Sequence, residues 1–206
     1  MDLLIATNNP GKVIELQALL GHLPIKLLTP QEIGLDLEVV ENGQSYAENA
    51  ALKALAFGRA SGRLTLADDS GLEVEALGGQ PGLHSRRFSP ISDATDADRR
   101  KYLLSLLKGK PRPWKARFCC SIAILEPQQA QLPSPRILFT EGICPGEIIP
   151  EERGAHGFGY DPIFLLAELD KTMAELSMTE KNRLSHRARA IMNSIPLLET
   201  ILQAQP

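Results

Sequence analysis

Two adjacent carboxylates, Asp68 and Asp69, close the apolar stretch "LTLA" and precede Ser70-Gly71. In α/β sheets, ligand clefts form at strand ends. Neighbouring strand residues point to opposite faces, so a regular strand cannot aim both carboxylates at one site. One can anchor the loop while the other holds a metal or activates water. An Asx-turn is the plain alternative, and it accounts for one Asp better than for two. Further acids lie upstream in "VVENGQSYAENAALKA", with Glu41 before a helix and Glu48 in its first turn. Hard cations such as Mg²⁺ want oxygen ligands, usually one or two carboxylates plus ligand phosphates. Glu48 also reads as the partner of Ser45 in a capping box. Lys53, on the same helix, either reaches a phosphate or is solvated.

A second group is "TNNPGK", Thr7 to Lys12: Thr7, Asn8, Asn9, Pro10, Gly11 and Lys12. It follows a strand and opens a helix, where backbone N–H groups are ready anion donors. Lys12 adds a full charge. The first glycine of a Walker A motif is missing and Val13 follows the lysine, so this is not a P-loop. The plain reading is a helix cap plus a surface lysine.

A third is "GFGYDP", in which Phe158, Gly159, Tyr160 and Asp161 combine flat faces with close backbone approach. A heteroaromatic base can stack there, with Asp161 accepting from a ring N–H or a sugar hydroxyl; core aromatics at a turn are the alternative. A fourth is "EKNRLSHRARA", where Lys181, Ser185, His186, Arg187 and Arg189 offer donors suited to carbonyl oxygens, or simply a solvated basic face. An anion cradle, a carboxylate cluster suited to Mg²⁺, an aromatic slot and donors for an oxo group together describe a nucleoside triphosphate site. No Gly-x-Ser-x-Gly elbow and no GxGxxG fingerprint after the first strand argue for other chemistry.

The elements that must carry these groups alternate. "LLIA" reads as a buried strand. "KVIELQALLG" follows as a helix with Val13, Leu16, Leu19 and Leu20 on one face, capped by Asn9 and ended by Gly21. "SYAENAALKALAFGRASG" is a second helix, stopped by Gly62. "LTLAD" is a strand and "SGLEVEAL" another. "SDATDADRRKYLLSLLKG" is a third helix with Thr95 and Asp98 as its box. "WKARFCCSIAIL" and "RILFTEGICPG" are strands joined by an exposed hairpin loop, "EPQQAQLPSP". From Thr179 the chain is expected to be helical, continuing past Pro196. Interleaved strands and helices imply an α/β fold with a mixed sheet.

With 206 residues and no clean linker, residues 1–206 are expected to form a single domain with its own core. A net charge of −3 gives no electrostatic case for nucleic-acid binding. Three cysteines, Cys119, Cys120 and Cys144, lack CxxC spacing and read as small buried hydrophobes. Nothing approaches a signal peptide or a membrane span, so a cytoplasmic protein is expected.

At "TNNPGK", "ENGQSYAENAALKA", "ADDSGLEV", "GFGYDP" and "SHR", in that order, the sequence resembles the noncanonical purine nucleoside triphosphate pyrophosphatases, also called inosine triphosphate pyrophosphatases. The resemblance implies an α/β fold with a long mixed sheet in two lobes around a cleft, and a homodimer. It implies Mg²⁺-dependent cleavage of ITP, dITP and XTP between the α- and β-phosphates. It assigns Thr7–Lys12 to the triphosphate and Asp69 to water activation and metal, with Ser70 touching substrate. Phe158–Asp161, Lys181, His186 and Arg187 would shape the nucleoside pocket. Glu41 is the candidate second metal ligand; some relatives carry a pair of acids where this chain has Val40-Glu41. Arg87 matches a family arginine, and Arg86 stands where relatives often have a small residue. In the reaction implied, Lys12 and Lys53 neutralise charge on the leaving pyrophosphate. Three rival readings stand beside this one: a different nucleotide pyrophosphatase or metal-dependent phosphatase, a non-catalytic nucleotide sensor, and, against the net charge, a nucleic-acid module.

Overall fold

The structure, a computed structural model, describes residues 1–204. Its strands are β1 (Asp2–Ile5), β2 (Lys26–Leu28), β3 (Leu64–Val74), β4 (Trp114–Leu125), β5 (Leu138–Ile148), β6 (Phe164–Leu166) and β7 (Lys171–Thr172). They form one sheet in the order β2-β1-β3-β4-β5-β6-β7. β1 runs parallel to β2 and β3, while β6 is antiparallel to β5 and β7, so the sheet is mixed. The helices are α1 (Pro10–Leu20), α2 (Tyr46–Ser61), α3 (Asp96–Leu107), the short α4 (Pro127–Ala130), α5 (Met178–Leu184) and α6 (His186–Gln203). This is the α/β class expected. Among the described residues, no helix is long and apolar enough to cross a membrane.

The residues group into two units. The first holds Met1–Asp69, Cys120–Gly142 and the chain from Arg187 onward. Leu3–Ile5 of β1 and Leu64–Asp69 of β3 are buried on both faces, as parallel strands covered by helices are. Leu3, Ile5, Leu64 and Leu66 face Leu16 and Leu20 of α1 and Ile191 and Leu198 of α6. Leu4, Ala6 and Ala67 face Ala50, Ala54 and Phe57 of α2. Pairing of Leu3 with Leu64 and Ile5 with Leu66 keeps this alternation in step. Extended Asn9 caps α1, its side chain accepting from the Gly11 and Lys12 N–H groups, with Pro10 first in the helix. Ser45 caps α2 by accepting from the Glu48 N–H, and the Glu48 carboxylate takes the Gln44 amide.

The second unit holds Ser70–Cys119 and Ile143–His186. Leu72, Val74, Trp114, Phe118 and Phe164 from the strands pack with Leu103 and Leu107 of α3. The Thr95–Asp98 capping box of α3 forms in both directions.

Three local expectations are corrected. The "SGLEVEAL" segment is not a separate strand after a turn: β3 runs unbroken through Ser70-Gly71 to Val74, because Leu72 and Val74 are fully buried in a core of their own. The helix expected from Thr179 breaks at Ser185, whose extended backbone (φ −68, ψ 157) separates α5 from α6; serine favours helix ends over interiors. The linker after β4 is more than an exposed loop, since it forms α4 and buries Ala130. Pro196 lies inside α6, which continues past it as expected.

Candidate active site

Strand alternation decides the two carboxylates. Asp68 follows Leu64 and Leu66 onto the face covered by α1 and α6. It is fully buried, and its Oδ2 accepts from Lys12 Nζ at 3.0 Å and from Arg187 Nε at 3.2 Å. Arg187 also pairs with Glu15 of α1, itself 3% exposed. Burial works against the Asp68 charge, but Lys12 and Arg187 outweigh it and hold the carboxyl well below the usual range. Burial pushes the Lys12 amine down from its ordinary value, with Asp68 pulling the other way.

Asp69 follows Thr65 and Ala67 onto the α2 face. Its Oδ1 lies 3.3 Å from Lys53 Nζ and its Oδ2 accepts from Asn49 Nδ2 at 3.2 Å. Lys53 reaches Glu41 Oε1 as well, at 2.8 Å. Burial raises the Asp69 carboxyl above its ordinary value, against the pull of Lys53. Burial also opposes the charge on Lys53, yet Asp69, Asp68 and Glu41 together keep its pKa raised. A buried carboxylate whose proton affinity is raised, beside a charged lysine, is suited to general-base work.

The donor set fits a hard divalent cation. Asp69 and Glu41 converge on one ammonium, which marks where a cation is stabilised between them. Asp68 Oδ1 is buried and has no hydrogen-bond partner among the described residues, but it lies on the opposite face of β3 and does not join that pair. No cluster of three or more His, Cys, Asp or Glu suited to a metal occurs among those residues.

The "TNNPGK" segment differs in detail from an open backbone cradle. The Gly11 and Lys12 N–H groups are taken by the Asn9 side chain. Thr7 is 9% exposed and its hydroxyl accepts from the Asn9 N–H. Asn8 is exposed and donates to the Leu37 carbonyl. Side chains, Lys12 first, are therefore what this segment can offer an anion.

In the second unit the glycine loop is tightly pinned. Gly157 (φ 76) and Gly159 (φ 62) take left-handed backbone. Asp161 Oδ2 accepts from the Phe158 N–H at 2.9 Å and from Lys181 Nζ at 2.5 Å. That ammonium sits 5.2 Å from the centre of the half-buried Phe158 ring. The Gly159 N–H donates to Asp96, and its carbonyl accepts from Arg100. Tyr160 does not present a ring face: it lies in the core at 4% exposure, its hydroxyl donating to the Ser85 carbonyl. His186 stacks on Phe118 with ring centres 4.7 Å apart.

Lys12, Lys53, Glu41 and Asp69 thus meet in one unit, and Phe158, Asp161, Lys181 and His186 lie in the other. Ser70 is half-buried within β3. Arg86 and Arg87 are exposed. Arg187, grouped from the sequence with the base-reading donors, instead lies in the first unit at 1% exposure, its guanidinium engaged by Glu15 and Asp68. Sequence reasoning missed Glu15 and Asn49. Glu15 had a signal, since it follows Lys12 by three residues and so shares its side of α1. Nothing in the residue types marked Asn49.

Residues 3–196 match the Ham1 family. The chain belongs to the Ham1 family. Ham1 relatives include a dITP/XTP pyrophosphatase of Desulforamulus reducens, 45% identical over 202 residues that cover 98% of this chain and 97% of the relative. Another is the Bacillus subtilis dITP/XTP pyrophosphatase, 41% identical over 96% of this chain and 97% of its own. The HAM1 protein of Coxiella burnetii superposes over the whole of both chains with a TM-score of 0.84 at 37% identity. The resemblance carried by the five motifs and the Ham1 assignment agree.

Proposed function

We propose that this chain hydrolyses deaminated purine nucleoside triphosphates (ITP, dITP and XTP) to the monophosphate and pyrophosphate, clearing them from the nucleotide pool. The observation that carries the reading is Asp69, a buried carboxylate with raised pKa set between Lys53 and Asn49. Supporting it, Ham1 relatives carry the name dITP/XTP pyrophosphatase.

In this reading Asp69 orients a water and accepts its proton as the oxygen attacks the α-phosphorus. The new P–O bond forms as the bond to the bridging oxygen breaks, and pyrophosphate leaves. Lys12 and Lys53 neutralise charge that grows on the leaving group, with Thr7, Asn8 and Ser70 as further contacts. Mg²⁺, when held by Asp69 and Glu41, supplies charge neutralisation on the phosphates. Phe158 stacks on the purine while Asp161, Lys181 and His186 read its polar edge. A 6-oxo group satisfies the Lys181 and His186 donors, whereas an adenine amino group leaves them unpaired, a penalty that can reach about 10⁴-fold. Arg187, engaged by Glu15 and Asp68, orders the start of α6 directly after His186. The active species proposed is a homodimer, as the family resemblance implies, working in the cytoplasm.

The test is product release from a panel of common and deaminated nucleoside triphosphates, with and without Mg²⁺. Pyrophosphate from dITP, ITP and XTP, dependent on Mg²⁺, is expected. Orthophosphate as the first product, or binding without turnover, overturns the reading. Light scattering of the purified chain tests the dimer.

A further inference from the structure

Asn49 spends its whole side chain on the two carboxylate-bearing segments of the first unit. It is 1% exposed, so neither half of its carboxamide answers to water. Its Nδ2 donates to Asp69 Oδ2 at 3.2 Å. Its Oδ1 accepts from the Gly43 N–H at 2.8 Å. Gly43 lies two residues beyond Glu41, in the segment that brings Glu41 Oε1 to within 2.8 Å of Lys53 Nζ. Lys53, one helical turn from Asn49, takes the other oxygen of Asp69.

We propose that Asn49 is a positioning residue that sets Asp69 and Glu41 relative to each other. An amide is suited to this task because its ends differ. The NH₂ group can only donate, so it fixes which Asp69 oxygen is occupied and leaves Oδ1 toward Lys53. The carbonyl can only accept, so it holds the Gly43 amide and with it the course of the chain after Glu41. Both bonds come from one planar group on a helix, so the two carboxylates share a single rigid reference. Gly43 is required by the same clamp. A Cβ there would lie 2.7 Å from Glu48 Cβ and 2.9 Å from Asn49 Oδ1, too close for either to stay in place.

The inference rests on Asp69 and Glu41 serving the reaction proposed above, and the variants separate the two. Asn49→Asp keeps an acceptor for the Gly43 N–H but replaces the donor to Asp69 with an acceptor. Asn49→Leu removes both bonds at similar volume. Gly43→Ala opens the loop side alone. Each is compared with wild type and Asp69→Asn for kcat and KM on dITP at saturating Mg²⁺, for Mg²⁺ affinity of the free protein by calorimetry, and for melting temperature. Partners of ligating and reacting groups typically contribute about 10- to 100-fold. Asn49→Asp should lower kcat by that amount with KM near wild type, and should lower the melting temperature as well, because it buries a second carboxylate against Asp69. Gly43→Ala and Asn49→Leu should weaken Mg²⁺ binding by a similar factor. Wild-type kcat in Asn49→Asp beside an inactive Asp69→Asn overturns the inference alone; wild-type kcat in Asp69→Asn overturns the reading of the site. A lowered melting temperature in the variants, with kcat and Mg²⁺ affinity intact below it, would make Asn49 a structural residue only. Should Asn49→Leu fail to fold, Asn49→Asp and Gly43→Ala still decide the matter.

Discussion

Asp68 and Asp69 share a peptide bond and serve opposite faces of β3, the one meeting Lys12 and Arg187, the other meeting Lys53 and Asn49. The first is held firmly ionised by two cations, while burial raises the pKa of the second. Neighbours of identical type are thereby given separate tasks, one anchoring and one reactive.

Asp69→Asn should lower kcat on dITP by about 10²- to 10⁴-fold, the usual worth of a positioned acid–base group. Its melting temperature should hold or rise, because burial already works against that charge. Steady-state kinetics with excess Mg²⁺ and a melting curve check both halves; a slow but unfolded variant would be the wrong result.

Asp68→Asn should instead cost stability. Breaking a buried ion pair leaves uncompensated charge, at about 3–5 kcal/mol. The folded carboxyl is depressed below its ordinary value of 3.8, so its contribution is full above that value and fades as pH falls through the folded pKa. The gap between wild type and variant should be widest near neutral pH and narrow below about pH 4. Urea melts across that range measure it.

Lys12 gives an alkaline signature. Burial lowers its pKa below 10.5, so its charge is lost on the high-pH side earlier than for a surface lysine. kcat/KM should decline as pH rises toward 10.5. Lys12→Arg, whatever its absolute rate, should lose that decline, since arginine stays protonated there. An unchanged alkaline limb in the arginine variant would dissociate Lys12 from the phosphates.

Gly157→Ala probes the loop. Its φ of 76 disfavours a side chain, and a Cβ would fall 2.0 Å from Asp161 Oδ2. The Asp161 contacts to Phe158 and Lys181 must then shift. KM for dITP should rise by at least about tenfold, the worth of one hydrogen bond to a charged group, with kcat less affected. A change confined to kcat would detach the loop from substrate binding.

Much of this was legible in the sequence because local chemistry wrote it. The Asn9 cap, the Ser45 cap and the Thr95–Asp98 box depend on residues within a few positions of one another. The opposed faces of Asp68 and Asp69 follow from the strand period alone. What escaped depends on partners far along the chain. The continuity of β3 through Ser70-Gly71 is set by the core around Leu72 and Val74, not by the turn-forming types at 70 and 71. Tyr160 goes inward because Ser85 offers its hydroxyl a carbonyl. Arg187 turns to Glu15, 172 residues away in sequence, and no periodicity in "SHRARA" reports that.

The opposed carboxylates also bear on how β3 finds its place beside β1 as the chain folds. A strand displaced by one residue turns every side chain to the other face. Each aspartate would then still meet a lysine, Asp68 at Lys53 and Asp69 at Lys12, so charge alone is a poor proofreader of the alignment. Bulk is the better one. The same slip would drive Leu64 and Leu66 against Ala50, Ala54 and Gly58, where a single added carbon on Gly58 already comes within 2.8 Å of Leu125. The fidelity of the reactive centre therefore rests on two leucines that never touch a substrate, and conversion of both to alanine would remove the steric guard while leaving every charged group in the chain.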